Sequence, residues 1–332
     1  MHADKLLVRG TEVRREDLPS LEQWFPVTID AQTLSVWWRH VGVRPFTEPF
    51  FHDTLTSQPS ADRRICQTPL AELGDGFDCV APTAFVFHVS RCGSTLLMQM
   101  LATQPDAIVM SEPPVLDAFF RLHHHQPEQS GGVVTLRRLV AALGQRRTGR
   151  ERHLFVKLDS WHAPWMPLLR EAYPETPFVF LYREPDEVLA SHGRSRGPQM
   201  VPGFVDMSRL KVDAGGLAPG DLDAYSARVL SAIFAAALEA VPVARPILLN
   251  YRQLPQVVWS ELLPGLSVHL TPHELGALKA RAAFHAKHSM AVFTGDGSPT
   301  SAGRAGEPDV ALAVRGYEKV EALRTSTAGR VT

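Results

Sequence analysis

Six residues, Ser90-Arg91-Cys92-Gly93-Ser94-Thr95, stand between an apolar run and a helical stretch. A small-residue turn from strand to helix suits an oxyanion, because the first turn of a helix has unpaired N–H groups and a partial positive charge. Gly93 lets the backbone approach the anion, Ser94 and Thr95 add hydroxyl donors, and Arg91 adds a permanent cation with a forked donor set. The nucleotide-hydrolysing form of this turn is GxxxxGK[ST]. Aligned on Gly93, its first glycine falls at His88 and its lysine at Ser94, so both signature residues are missing. That argues against magnesium-dependent hydrolysis of ATP or GTP. A second group is Tyr182-Arg183-Glu184-Pro185, with Ser191 eight positions after Arg183 (191 − 183 = 8). Pro185 opens a helix at its first turn, and two turns carry Ser191 to the side facing the strand end. A guanidinium with a hydroxyl is a sensible clamp for a phosphate monoester.

The turn at Ser90–Thr95 resembles the 5′-phosphosulfate loop of sulfotransferases, whose donor is 3′-phosphoadenosine 5′-phosphosulfate (PAPS). The family pattern is roughly Pro-Lys/Arg-Ser-Gly-Thr-Thr; here Ser90 replaces Pro and Cys92 replaces Ser. In that family an arginine ending a later strand, with a serine eight positions on, binds the donor's 3′-phosphate, which the resemblance assigns to Arg183 and Ser191. It assigns Arg91, Cys92, Gly93, Ser94 and Thr95 to the 5′-phosphosulfate. Glu112 follows the second strand in Met110-Ser111-Glu112-Pro113-Pro114, and the stretch from Gln104-Pro105-Asp106 through Glu112 is similar to the protein-tyrosine sulfotransferases, in which a glutamate after this strand is the base; the interval from Arg91 also agrees (112 − 91 = 21). In water a glutamate has a pKa of about 4.3; burial would raise it and nearby cations would lower it. In cytosolic sulfotransferases the third strand ends Lys-x-His, with histidine as base. This chain has Lys157-Leu158-Asp159, so Asp159 is the second candidate base, with His162 a further one. Lys157 keeps the family lysine, which implies contact with the leaving oxygen or the sulfuryl group, and Arg91 shares in stabilising that charge. Tyr251 and Leu254 match a family Tyr-x-x-Leu that is usually structural. Lys287 lies where the family folds a basic loop over the nucleotide, although the Arg-Lys-Gly signature is absent. The scheme requires no metal.

These residues need strand ends to hold them. Short apolar runs predict strands at 84–89, 107–110, 154–158, 177–182 and 246–250, and helical stretches fall at 95–101, 115–123, 133–145, 161–172, 185–192 and 221–241. Alternation of this kind implies an α/β fold with a central, mostly parallel sheet covered on both faces, with ligands beyond the carboxyl ends of the strands. With the resemblance, the expectation is a P-loop NTPase-like three-layer fold at 81–332. Residues 1–80, rich in aromatics and prolines, read as an N-terminal extension packing on that core, or as an acceptor-binding or oligomerising segment. Residues 193–220 are a candidate mobile loop or lid, 285–311 read as loop, and the tail from Arg324 reads as frayed.

The 332 residues carry Lys+Arg 34 against Asp+Glu 35. This balance gives no global field for nucleic acid or an anionic membrane. Three scattered cysteines suit a reducing, cytoplasmic setting. No apolar stretch typical of a signal peptide follows Met1, and the run Val229–Val243 falls short of a membrane span. Cys92, at a helix start, is expected to have a lowered thiol pKa; His123-His124-His125 reads as a solvated helix end. The function expected is transfer of a sulfuryl group from PAPS to a hydroxyl or amine of a small-molecule, carbohydrate or peptide acceptor, in a chain that could form a homo-oligomer. The alternatives are an atypical P-loop small-molecule kinase using ATP and a catalytically inactive nucleotide-binding module. The acceptor pocket is expected from residues 1–80, 113–125 and 193–220.

Overall fold

The strand Pro82–His88 (β5) is apolar along nearly its whole length, and from Ala84 onward every residue of it is buried. A strand covered on both faces belongs in the middle of a sheet. The computed structural model describes residues 7–284 and 308–328, and there β5 is the central strand of five. Its sheet partners are Ala107–Ser111 (β6), His153–Lys157 (β7), Phe178–Tyr182 (β8) and Ile247–Asn250 (β9). The order is β6-β7-β5-β8-β9, and every pairing is parallel. Helices lie on both sides of this sheet, which makes the architecture a three-layer α/β fold.

Successive strands leave β5 in opposite directions, to β7 on one side and β8 on the other. The crevice where the order reverses lies beyond the carboxyl end of β5, where such sheets bind ligands. Each strand end delivers one segment to it. β5 feeds residues 89–93 and the helix Ser94–Leu101 (α2, after Phe51–Thr56, α1), and β6 feeds Glu112 ahead of Pro114–His125 (α3). β7 feeds Leu158 and Asp159, β8 feeds Arg183 ahead of Pro185–Arg194 (α6, after Gly132–Leu143, α4, and Met166–Ala172, α5), and β9 feeds Tyr251. Register fixes the depth of each. Val86 and Ser111 both pair with Lys157, so Glu112 and Asp159 emerge at the same level.

The N-terminal segment is a sheet of its own. Thr11–Glu12 (β1), Trp24–Asp30 (β2), Ser35–His40 (β3) and Arg64–Pro69 (β4) are ordered β1-β4-β3-β2. Trp24, Phe25, Val27 and Trp38 are buried in a hydrophobic cluster continuous with the main sheet, with β2 against α3 and α4. Gln145 stitches the join: its Nε2 donates to the Trp24 carbonyl at 2.6 Å and its Oε1 accepts from Gln23 N–H at 3.0 Å. Gln99 of α2 donates to the Thr47 carbonyl at 2.9 Å, so the segment between β3 and β4 also braces the helix that follows β5.

Three features differ from the sequence expectations. The helical stretch 221–241 runs from Leu222 to Ala244 (α7), 23 residues, long and apolar enough by length and composition to cross a membrane. Its apolar residues Val229, Leu230, Ile233 and Phe234 are wholly buried inside the fold, as in a core helix. Pro272–Ala282 (α8) and Pro308–Ala328 (α9) are helices that the sequence did not signal. The tail beyond Arg324 is not frayed at its start: Arg324 pairs with Glu321, and the helix continues to Ala328.

Candidate active site

The turn after β5 is held in an uncommon backbone conformation. Ser90, Arg91 and Gly93 have φ of 71°, 49° and 84°, the left-handed region that disfavours side chains. Ser90 and Arg91 tolerate it because Ser90 N–H donates to His88 Nδ1 at 2.9 Å and the rest of the turn is packed. Gly93 has no alternative: a Cβ there would sit 2.7 Å from Leu254 Cδ1 and 2.9 Å from Tyr251 Cδ2. The Tyr251/Leu254 pair therefore shapes the turn after β5 from outside. Ser94 and Thr95 follow in the first turn of α2.

The two arginine motifs meet. Arg183 Nη1 donates to the Arg91 carbonyl at 3.3 Å, and its guanidinium lies 4.0 Å from the centre of the Tyr251 ring. Glu187, one turn along α6, accepts from Arg183 Nε. Arg91, Gly93, Ser94, Thr95, Arg183 and Ser191 line one cleft of about 800 Å³. Arg91 also donates to the Ser195 carbonyl. Burial, and then the charge of Arg194, which lines the same cleft, lower the Arg91 pKa from its ordinary value. A site that crowds cations in this way is matched to an anion. Arg194 went unnoticed in the sequence because it sits in a basic, glycine-rich stretch with no fixed spacing to either motif.

Glu112 and Asp159 face each other across the floor of the cleft. Glu112 has φ of 54°, and its N–H donates to the Lys157 carbonyl at 2.8 Å. Lys157 does not reach the cleft, contrary to the role expected of it. Its side chain is 0% exposed, with Nζ 2.9 Å from Glu112 Oε1 and 4.7 Å from the centre of the Phe50 ring. Its position between β5 and β6 leaves the ammonium no route to solvent. His88 Nε2 lies 3.4 Å from the same carboxylate oxygen. Because His88 Nδ1 accepts the Ser90 N–H, the proton of the neutral ring sits on Nε2, facing Glu112. Burial alone would raise the Glu112 pKa, but Lys157 and His88 outweigh it and hold the carboxyl far below its usual range. Asp159 moves the other way. Burial, followed by the charges of Glu112 and Asp117, raises it well above the usual carboxylate range. Two adjacent carboxyls thus divide one proton, with the charge on Glu112 and the hydrogen on Asp159.

His162 is committed to structure. Its Nδ1 accepts Asp159 N–H at 3.2 Å and its Nε2 donates to Asp117 Oδ1 at 2.9 Å. It caps the short 3₁₀ turn Ser160–Trp165 together with Asp159. Asp117, Asp159 and His162 lie close enough together to invite a metal ion. Neither ring nitrogen offers a free lone pair, so the group does not fit one. Cys92 corrects another expectation: its thiol is wholly buried, donates to the Leu181 carbonyl at 3.2 Å, and is pushed up to about 11 by burial. Only its main chain can serve an anion in the turn. Lys287 lies outside the described residues. Phe50, His52 and Thr56 from the N-terminal segment, Pro114 and Arg121 from α3, and Gln199 from the 193–220 segment line the far side of the cleft.

No protein-family model matches the chain, and no curated protein matches it. Among solved structures it is similar to a sulfotransferase domain from the curacin biosynthetic pathway, at 19% identity over 65% of this chain and 84% of that one, with a TM-score of 0.41. It is similar to a sulfotransferase from Mycobacterium tuberculosis H37Rv at 13% identity, covering 66% of this chain and 76% of that one, TM-score 0.41. A third is the sulfotransferase domain of the Synechococcus PCC 7002 olefin synthase, at 17% identity over 77% and 98% respectively, TM-score 0.41.

Two outcomes follow from this geometry. Gly93→Ala should lower stability by about 1–3 kcal/mol through strain at positive φ, read as a fall in the urea midpoint at constant m-value. An unchanged midpoint would mean that the turn is not constrained by Tyr251 and Leu254. Asp159→Asn keeps a neutral side chain where the wild type must hold a proton. A carboxyl with a raised folded-state pKa contributes stability below its unfolded pKa of about 3.9 and loses it as pH rises through the folded value. The variant should therefore match the wild type near pH 4 and exceed its Tm at pH 8. Equal melting curves at both pH values would contradict the division of the proton.

Proposed function

We propose that the chain is a sulfotransferase that moves a sulfuryl group from PAPS to a hydroxyl or amine acceptor. The observation that carries this reading is the convergence of Arg91 and Arg183, with the Arg183 guanidinium 3.3 Å from the Arg91 carbonyl. Two anion-binding groups on adjacent strand ends suit one nucleotide with a phosphate at each end of its ribose. The Arg91 turn and the start of α2 hold the 5′-phosphosulfate. Arg183, stacked on Tyr251 and joined by Ser191, holds the 3′-phosphate. A kinase reading lacks its lysine, since position 94 is serine.

In this scheme the acceptor oxygen forms a bond to sulfur as the bond from sulfur to the bridging phosphate oxygen breaks. The leaving bisphosphate keeps that electron pair, stabilised by Arg91, Arg194 and the N–H groups of the turn. The acceptor's proton passes to the carboxyl pair. A general base works best with a pKa near the operating pH. Glu112, held far down by Lys157, is the poorer acceptor; Asp159, raised by burial and by Glu112, is the better one. Asp159 is therefore the proton acceptor, Glu112 the charge that tunes it, and Lys157 the residue that fixes Glu112. The acceptor enters on the side lined by Phe50, His52, Pro114 and Gln199, which suits a small molecule or one end of a carbohydrate or peptide. The free cysteines fit a reducing cytoplasm.

Titration calorimetry with the full chain should find adenosine 3′,5′-bisphosphate bound at least tenfold more tightly than 5′-AMP, about the worth of one charge-assisted clamp; equal weak binding of both would remove the donor assignment. In assays with a working acceptor, kcat/KM should rise with pH through an apparent pKa above the ordinary carboxylate range. Glu112→Gln should move that limb to lower pH by removing the charge that raises Asp159. Asp159→Asn should cut the rate about 10²–10⁴-fold. Full activity in Asp159→Asn would transfer the base role to Glu112.

A further inference from the structure

The helix α9 contributes no residue to the wall of the cleft, yet it is bonded to the two strand ends that carry one side of it. It reaches them by close approach. Gly316 lies against α7, where a Cβ would sit 2.7 Å from Phe234 Cβ. Packed at that distance, Tyr317 and Glu321, one turn apart on the same face, point at the carboxyl ends of β8 and β9. Tyr317 Oη donates to Glu184 Oε1 at 2.8 Å and accepts from Asn250 Nδ2 at 3.0 Å. Glu321 Oε2 accepts from Asn250 Nδ2 at 3.1 Å and from the hydroxyl of Tyr182. Arg324 holds Glu321 from the far side, and Arg252 Nε sits 2.8 Å from Glu184 Oε1.

Tyr182 and Glu184 are the neighbours of Arg183, and Asn250 precedes Tyr251, the ring under the Arg183 guanidinium. The helix therefore grips both halves of the stack, on both sides of the arginine and immediately before the tyrosine. Tyr182 and Asn250 are buried at 0% and 3% exposure, so neither can exchange these partners for water. Hydrogen bonds of buried groups to an ionised carboxylate are the strong kind.

We propose that Tyr317 and Glu321 are positioning residues for the Arg183–Tyr251 stack, so that the C-terminal helix sets the affinity of the cleft for the 3′-phosphate end of the nucleotide. This rests on the donor assignment above. The test titrates adenosine 3′,5′-bisphosphate and 5′-AMP into the full wild-type chain, Tyr317→Phe and Glu321→Gln, below the melting temperature of each. Tyr317→Phe keeps the ring contacts with Tyr182 and Phe234 and so guards against simple unfolding. Each variant should bind the bisphosphate about tenfold more weakly, the effect of one lost charge-assisted bond, with 5′-AMP changed less than about twofold. Variants that keep the wild-type preference, or that weaken both ligands in parallel as general loosening would, overturn the positioning role. A wild-type chain that shows no preference overturns the donor assignment, and this inference with it.

Discussion

The site depends on a backbone turn that is unfavourable in isolation. Left-handed conformations at Ser90, Arg91 and Gly93 persist only where surroundings over-determine them. Here those surroundings come from three directions. His88 captures the Ser90 N–H from below, the Cys92 thiol is buried against the Leu181 carbonyl, and Tyr251 and Leu254 close over Gly93. The turn can then present main-chain donors, the start of α2 and Arg91 to a single point. The strain is absorbed by packing against β8 and the segment after β9, the same elements that carry Arg183 and its stacking partner. The turn and the Arg183–Tyr251 stack are mechanically one object.

Charge distribution in the cleft follows from that arrangement. Cations collect at the upper rim, where Arg91 and Arg194 repel each other and Arg183 is shared between Glu187 and a tyrosine ring. Carboxyls collect at the floor, below the point where β6 and β7 end. Lys157 separates the fates of the floor residues: it is wholly buried and pairs with Glu112, so Glu112 ionises first and Asp159 only at higher pH. A buried pair of this kind is weak as a source of stability. Its effect is on the proton, because it decides which of two carboxyls is available to accept one. His88 links floor to rim, with one ring nitrogen on the turn after β5 and the other facing Glu112.

What was legible in the sequence was whatever is local. The five strands of the main sheet announce themselves as apolar runs, since a strand buried on both faces has no polar face to hide it. Arg91, Arg183 and Ser191 stand at short, fixed distances from those runs, and the structure brings them into one cleft. What was not legible is non-local. Lys157 and Glu112 are far apart in the chain, and only the register of β6 on β7 reveals that the lysine is spent on the glutamate. The Cys92 thiol reads as activated by its place at a helix start, but its depth reverses the direction of its pKa. The N-terminal sheet hides its strands in mixed polar and aromatic residues, and α9 mixes apolar with charged residues without a clear apolar stripe.

A cleft made from the ends of five strands has no core of its own, so its precision has to be supplied from behind each strand. The N-terminal segment between β3 and β4 does this on the β6–β7 side: Gln99 is tied to Thr47, and Phe50 covers the Lys157 ammonium. The C-terminal helix does it on the β8–β9 side through Tyr182, Glu184 and Asn250. Neither support belongs to the parallel sheet: the N-terminal segment steadies α2 and the floor around Lys157, and the C-terminal helix steadies the Arg183–Tyr251 stack. Under the proposed function, changes in the N-terminal segment would alter the wall where the acceptor enters and the environment of Lys157 without touching the Arg183–Tyr251 stack assigned to the 3′-phosphate.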